Sequence, residues 1–275
     1  MIGQERLRNM FKLFVEGNQL PRFSILTGVA GIGKKTLCKW LGDEMQEQGF
    51  TIYKLPDIKI DSIREMIDLS YKAVNPTLYV IADADNMSTA AKNSLLKVTE
   101  EPPNNAYFVM TLEDATMTLE TIKSRASIFA LDNYKKAEIE QYTKRTHKPN
   151  ERELEIISEI CDVPGDVEKL YESKPIEFYD YVKMVVNNIA DVEGANSFKI
   201  ADKLALKQDS LGYDAKLFLR AFMAICVERL NEDPLRYASG ISITSKYLSQ
   251  FGIRGISKAM LIDSWILEIR RYWMR

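Results

Sequence analysis

The chain has 275 residues, which is long enough for two or three domains, and its content of 46% hydrophobic and 28% charged residues is ordinary for a globular protein. A formal net charge of −2 argues against a protein that holds nucleic acid through bulk electrostatics. No apolar run could cross a bilayer, and the first residues have no apolar signal core, so we expect a cytoplasmic protein with no membrane contact. The three cysteines are widely spaced and match no zinc pattern, so we expect no bound zinc.

Apolar patterning predicts strands and helices in alternation up to residue 131. A first helix over 4–16 carries apolar residues at helical spacing, and a short buried strand at 25–26 then leads into a glycine-rich turn. Ser62 with Glu65, and Ser88, are expected to cap later helices. Further strands are predicted at 51–55, 77–82, 106–111 and 127–131. This alternation indicates a parallel sheet covered on both faces, so residues 1–131 are predicted to be an α/β domain.

The turn after the first strand fits the phosphate-binding loop of P-loop proteins up to its lysine. Gly28 is followed, after four residues, by Gly33 and Lys34. The backbone N–H groups of such a loop and the N-terminus of the next helix favour an anion, and the lysine reaches the β- and γ-phosphates. The candidate nucleotide-binding residues are Gly28, Gly31, Gly33, Lys34, Lys35 and Thr36.

The same loop departs from the pattern where a metal ion would bind. The residue after the lysine is normally a serine or threonine whose hydroxyl holds Mg²⁺, but here it is Lys35, whose ammonium cannot be a metal ligand. Thr36 comes one residue late, which is about 100° further round the helix. The loop therefore predicts weak binding of ATP or ADP without Mg²⁺.

Beyond residue 131 the predicted strands end and helices follow. Short helices are expected at 135–145, 150–161 and 165–172, and longer ones at 178–189, 198–205, 215–230 and 256–272. The apolar residues of the last helix, Trp265, Ile266, Ile269 and Trp273, are expected to lie in a core. We predict a small helical domain at 132–175 and an all-helical domain at 176–275, which is either a plain bundle or an oligomerisation surface.

The central segment carries a longer set of motifs. These are Leu78-Tyr-Val-Ile-Ala-Asp-Ala-Asp-Asn-Met-Ser88, Asn93-Ser-Leu-Leu-Lys97, Glu100-Glu-Pro-Pro103, Tyr107-Phe-Val-Met110 and Ser124-Arg-Ala126. In this order they resemble the clamp-loader subunits of bacterial DNA polymerase III, AAA+ proteins of the gamma/tau and delta-prime kind. Ile2-Gly-Gln-Glu5 is similar to the family's opening motif, which lies near the adenine. The resemblance implies a RecA-like AAA+ domain with a five-stranded parallel sheet, a helical lid at 132–175, and a helical collar at 176–275 that joins five subunits into a ring.

The resemblance also implies what this chain has lost. Family members that hydrolyse ATP carry an aspartate that holds Mg²⁺ and a glutamate that activates water, and the matching Walker B positions are Ala82 and Asp83. The polar sensor of the γ-phosphate corresponds to Leu112, and the lid arginine that touches the phosphates corresponds to Glu168. Together with Lys35, these departures predict a degenerate ATP site without Mg²⁺ and without hydrolysis.

One motif of the family is intact. In the resembling subunits, the arginine of Ser124-Arg125 reaches across an interface and acts as an arginine finger in the neighbour's ATP site. A guanidinium suits this role because it is always charged and binds phosphate oxygens in a bidentate manner. The resemblance thus implies a delta-prime-like subunit of a hetero-oligomeric ring, with other clamp-loader subunits as direct partners and with the sliding clamp and primer-template DNA reached through the assembly.

Two alternatives remain open from the sequence. The first is a catalytically active ATPase of the gamma/tau type, in which Asp83 and Asp85 rebuild a metal site one residue along. The second is a stand-alone AAA+ nucleotide-binding regulator, for which neither the Ser-Arg motif nor the long helical tail is needed.

Overall fold

The computed structural model describes residues 2–190, 200, 203–205, 212–251, 253 and 255–274. The chain divides into two compact units, Met1–Tyr134 and Lys135–Arg275. The boundary between these units lies three residues after residue 131, the predicted end of the α/β domain. The further division of the second unit between residues 175 and 176 stays a prediction.

The first unit is a five-stranded parallel sheet with the strand order β2-β3-β4-β1-β5. Its elements are α1 (Glu5–Glu16), β1 (Phe23–Thr27), α2 (Lys34–Glu47), β2 (Thr51–Lys54), α3 (Ile60–Lys72), β3 (Thr77–Ile81), α4 (Thr89–Ser94), α5 (Leu96–Glu100), β4 (Ala106–Leu112), α6 (Glu120–Lys123) and β5 (Ser127–Ala130). The three central strands are buried along their whole length, which is why their sequences are continuous apolar runs. The five predicted strands are confirmed.

Two local predictions in this unit differ from the structure. Helix α3 begins at Ile60, so Ser62 lies inside it, and the Ser62 hydroxyl donates to Asp57 Oδ1 at 2.7 Å instead of capping the helix. The predicted capping box of Ser62 and Glu65 is therefore wrong. Ser88 does cap α4, where its hydroxyl accepts the N–H of Ala91, but the single helix predicted to follow it is divided into α4 and α5.

The second unit is mainly helical in the residues that the structure describes. Its elements are α7 (Lys136–Thr146), α8 (Glu151–Ile160), α9 (Pro164–Glu172), α10 (Pro175–Asn188), β6 (Leu204–Ala205), β7 (Tyr213–Asp214), α11 (Ala215–Glu228), α12 (Pro234–Gln250) and α13 (Lys258–Trp273). The sequence predicts all of these helices except α12. The helix predicted at 198–205 falls largely outside the described residues, and its last two residues pair as the short strand β6 with β7.

The core of the second unit is built around the aromatic residues of α11 and α13. Trp265 is fully buried, and its ring lies edge-on to Phe218 and Phe222 at centroid distances of 5.7 and 4.8 Å. The Trp265 indole N–H donates to Thr244 Oγ1 in α12 at 3.0 Å. Trp273 stacks on Phe222, so the expectation that the last helix faces a core is confirmed. No helix in the described part of the chain combines the length and apolar character needed to span a membrane.

Candidate functional site

The glycine-rich loop lies at the carboxyl end of β1 and leads directly into α2. Gly31 and Gly33 have φ values of 82° and 101°, which residues with a Cβ rarely adopt, and α2 then begins at Lys34. The N–H of Gly28 is shared between the carbonyls of Leu112 and Glu113, at 3.3 and 3.1 Å, which anchors the loop to the end of β4. A loop in this conformation at a helix N-terminus suits a phosphate group.

Lys34 is folded back onto its own loop. Its ammonium donates to the carbonyl oxygens of Gly28 at 2.5 Å and Val29 at 3.2 Å, and the residue is 8% exposed. Burial lowers the pKa of Lys34, and the nearby carboxylates of Glu113 and Asp85 oppose that shift. A phosphate must therefore compete with two backbone acceptors for this ammonium.

Lys35 contacts the segment that follows β3. Its ammonium forms an ion pair with the carboxylate of Asp83, the residue that the sequence resemblance predicts at the position of the water-activating glutamate. Asp83 has a φ of 53°, and its N–H donates to Thr111 Oγ1 at 2.9 Å, so its backbone is tied to β4. The pair thus joins the start of α2 to the end of β3 where a metal ion and a catalytic carboxylate are expected in an active ATPase.

The residues around this pair do not fit a Mg²⁺ site. Ala82 offers no ligand atom, Lys35 places a cation on Asp83, and the carboxylate of Asp85 accepts the N–H of Glu113 at 2.6 Å. The two carboxylates that could form a shifted metal site are therefore engaged elsewhere.

The two predicted sensor positions lie in different units. Leu112 is the last residue of β4 and aligns with Thr27 at the end of β1; its side chain is fully buried in the hydrophobic core, and its backbone carbonyl accepts the Gly28 N–H. Glu168 lies in α9 of the second unit, where its carboxylate accepts the Tyr142 hydroxyl at 2.8 Å and lies 3.1 Å from His147 Nε2. Both of these contacts of Glu168, with Tyr142 and with His147, lie within the second unit.

Arg125 lies between α6 and β5 and is 40% exposed at its side chain. Because β5 pairs directly with β1 in parallel, a residue before β5 lies at the opposite end of the sheet from the loop that follows β1. Its guanidinium contacts the carbonyl of Thr121 and the carboxylate of Glu100. Arg125 is thus remote from the phosphate loop of its own chain and open to solvent.

The structure also reveals contacts of the amino-terminal motif that the sequence does not predict. The side-chain amide of Gln4 makes two hydrogen bonds with the backbone of Asp132, at 2.7 and 2.8 Å. Arg6 adds an ion pair with the Asp132 carboxylate at 2.9 Å. The amino-terminal motif is therefore bound to the segment after β5. No pattern in the sequence indicates this contact.

Tyr134 connects this motif to the phosphate loop. Its hydroxyl lies 3.3 Å from the carbonyl oxygens of both Ile2 and Ile32. Its ring covers Gly3, where an added Cβ would lie 2.6 Å from a ring carbon, so a glycine is required there. The resemblance of Ile2-Gly-Gln-Glu5 to a nucleotide-side motif is consistent with this position beside the loop.

The sheet order and the loop after β1 define the P-loop fold that AAA+ proteins share. The gamma subunit-related protein of DNA polymerase III from Thermotoga maritima has the same fold, with a TM-score of 0.51 and 16% identity over 96% of this chain and 99% of that one. RuvB from Thermotoga maritima is similar too, with a TM-score of 0.53 and 16% identity over 96% of this chain and 89% of that one. At this identity the likeness concerns the fold alone.

Sequence relatives define the class more narrowly. The family model described as DNA polymerase III, delta subunit, matches residues 44–135, from the end of α2 to just past β5. A replication factor C small subunit from Methanosphaera stadtmanae is 30% identical over 148 residues, and DNA polymerase III subunit gamma from Buchnera aphidicola is 26% identical over 170 residues. Each match covers 50% of this chain, and 46% and 47% of the relative, so the chain spans about half the length of these relatives. The resemblance to clamp-loader AAA+ proteins is confirmed.

Proposed function

We propose that this chain is a delta-prime-like subunit of a sliding-clamp loader that works in DNA replication. It does not hydrolyse ATP, and it supplies Arg125 to the ATP site of a neighbouring subunit in a cytoplasmic hetero-oligomeric ring. The sliding clamp and primer-template DNA are its partners through that assembly. The relatives named replication factor C small subunit and DNA polymerase III gamma subunit support the choice of machinery.

The observation that carries the loss of hydrolysis is the ion pair of Lys35 and Asp83. An active site needs a hydroxyl and a carboxylate for Mg²⁺, and a second carboxylate free to orient water. Here an ammonium lies at the hydroxyl position and neutralises the carboxylate at the water position, while Ala82 removes the remaining metal ligand. The ion pair and Ala82 together support the proposed loss of Mg²⁺ binding and of water activation.

The exposure of Arg125 supports its action on another subunit. A permanently charged side chain that lies away from its own phosphate loop and remains open to solvent can meet an anionic ligand of a neighbour. Its local contacts leave part of the guanidinium edge available, because that group has five N–H donors.

The first experiment measures phosphate release by the isolated chain. We expect no turnover by the native chain above that of a Lys34→Ala control, because the native chain does not bind Mg²⁺ productively and the control also lacks the ammonium that reaches the phosphates. Turnover that disappears in Lys34→Ala would contradict the proposal and favour an active ATPase.

The second experiment measures the ATPase of the complex reconstituted with the clamp-loader ATPase subunits of the same source organism. Arg125→Ala should remove the activity of one site, since an arginine finger contributes about 10³–10⁵ in rate. Arg64→Ala, at an exposed arginine of α3, is the matched control and should leave the activity unchanged. Arg125→Lys should not restore it, because a lysine lacks the planar fork. Equal rates for wild-type and Arg125→Ala complexes at matched assembly would refute the arginine finger.

The second candidate is an active gamma-type ATPase with a shifted metal site, and the relatives named DNA polymerase III gamma favour it. It requires Asp83 and Asp85 to bind one ion together. Both carboxylates already have partners, Lys35 and the Glu113 N–H, so this candidate needs a rearrangement that the first does not.

A further inference from the structure

The guanidinium of Arg125 is fixed from two sides. Nη1 donates to the carbonyl oxygen of Thr121, one turn earlier, at 2.9 Å, and lies 3.4 Å from Ser124 Oγ. Nη2 lies 3.1 Å from Glu100 Oε1. The Thr121 and Ser124 contacts come from the arginine's own segment, whereas Glu100 belongs to a different helix.

Glu100 occupies a place that its own helix does not favour. It is the last residue of α5, at the negative end of the helix, where carboxylates are disfavoured and cations are preferred. Helix α5 packs against α6, which brings this carboxylate to the arginine that follows α6. The neighbouring Glu101 is exposed and makes no ion pair among the described residues. Of the two adjacent glutamates, only Glu100 meets Arg125.

We infer that Glu100 is a positioning residue that sets the orientation of the Arg125 guanidinium before it meets the neighbour's nucleotide. This inference rests on the proposed role of Arg125. A free arginine side chain loses rotamer freedom when it binds an anion, and a side chain that is already oriented loses less. Removing a contact that immobilises one such side chain should lower the rate of ATP hydrolysis about 3- to 10-fold.

The test uses the reconstituted complex and four versions of this chain, namely wild type, Glu100→Ala, Arg125→Ala and the double variant. The quantity compared is the Arg125-dependent ATPase rate, which is the rate of the wild-type complex minus the rate of the Arg125→Ala complex. Glu100→Ala should lower that rate about 3- to 10-fold through kcat, with the KM for ATP unchanged. Glu100→Gln should lose less, because the amide oxygen still accepts a hydrogen bond. Glu101→Ala is the matched control and should behave as wild type.

The double variant separates positioning from a structural role. If Glu100 acts through Arg125, Glu100→Ala should cause no further loss in the Arg125→Ala background. A loss that persists there, or full activity of Glu100→Ala alongside a strong Arg125→Ala defect, overturns the inference and leaves the proposed function intact. Full activity of Arg125→Ala overturns both. Thermal unfolding of the isolated Glu100→Ala chain should stay close to wild type, since the pair is 40% and 50% exposed.

Discussion

Replacing Lys35 with threonine and Ala82 with aspartate should give nucleotide binding by the phosphate loop a Mg²⁺ dependence that, on the proposed function, the native chain lacks. The double change restores a hydroxyl at the start of α2 and a carboxylate after β3, and it frees Asp83 from its ammonium partner. Both ligand types suit Mg²⁺, which prefers hard oxygen donors. The variant therefore tests whether these two positions, and not the fold, exclude the metal.

The cost of the change in folding stability should be small. The side chains of Lys35 and Asp83 are 66% and 59% exposed, and exposed ion pairs contribute about 0–1 kcal/mol. Ala82 is half-buried, so a carboxylate there can stay hydrated. A loss of about 1 kcal/mol lowers Tm by roughly 2–4 °C in a chain of this size. A much larger fall would mean that the binding data report on unfolding.

The assay is isothermal titration calorimetry with ADP and with ATP, in excess Mg²⁺ or in chelator. The native chain should bind with affinities that agree within about 3-fold under the two conditions, and the double variant should bind at least about 10-fold more tightly with Mg²⁺. Lys39→Thr, at an exposed lysine of α2 without an ion pair among the described residues, should behave as the native chain. A strong Mg²⁺ dependence in the native chain, or none in the double variant, would refute the reasoning.

Two further predictions concern the stability of the second unit. Gly240→Ala should lower the free energy of unfolding by about 1–3 kcal/mol, because the added Cβ would lie 2.8 Å from the Trp273 ring and 3.1 Å from Cys226 Sγ, and chemical denaturation would measure it. Asp214→Ala should cost about 1–2 kcal/mol at neutral pH, because Asp214 caps α11 and pairs with Lys169 at 2.9 Å. Burial alone would raise the pKa of Asp214, but the Lys169 and backbone hydrogen bonds outweigh it and hold the pKa below its ordinary value. The difference between wild type and Asp214→Ala should therefore be present at neutral pH and shrink as the pH falls through and below the pKa of an ordinary aspartate, which acid titration of both proteins would reveal.

Most of the fold could be predicted because burial leaves a direct record in the sequence. The central strands are apolar throughout, and most helices of the second unit show regular apolar spacing. Helix α12 escaped prediction because serines, threonine and glycine dilute its apolar periodicity. It has room for Trp273 only because Gly240 has no side chain, and such a contact depends on tertiary structure.

The sequence predicts individual positions of the candidate site, but it does not predict the contacts between them. The motif identifies Lys35 and Asp83 as departures, yet it does not indicate that they meet. Lys35 lies at the start of α2, after β1, whereas Asp83 follows β3, and β4 lies between these two strands in the sheet. The Lys35 side chain therefore has to extend across the end of β4 to reach Asp83. Likewise, Glu100 and Arg125 lie in separate motifs, and only the packing of α5 on α6 brings them together.

The interior position of β1, between β4 and β5, has a consequence for how the first unit folds. Both neighbours of β1 come much later in the chain, since Phe23 aligns with Phe108 of β4 and Ser24 with Ser127 of β5. A ribosome must therefore release nearly the whole unit before this apolar strand can pair on either side. Sheets with such distant partners fold slowly and expose unpaired edges meanwhile. We expect the nascent β1 segment to be the part of the unit that most needs protection by chaperones during synthesis.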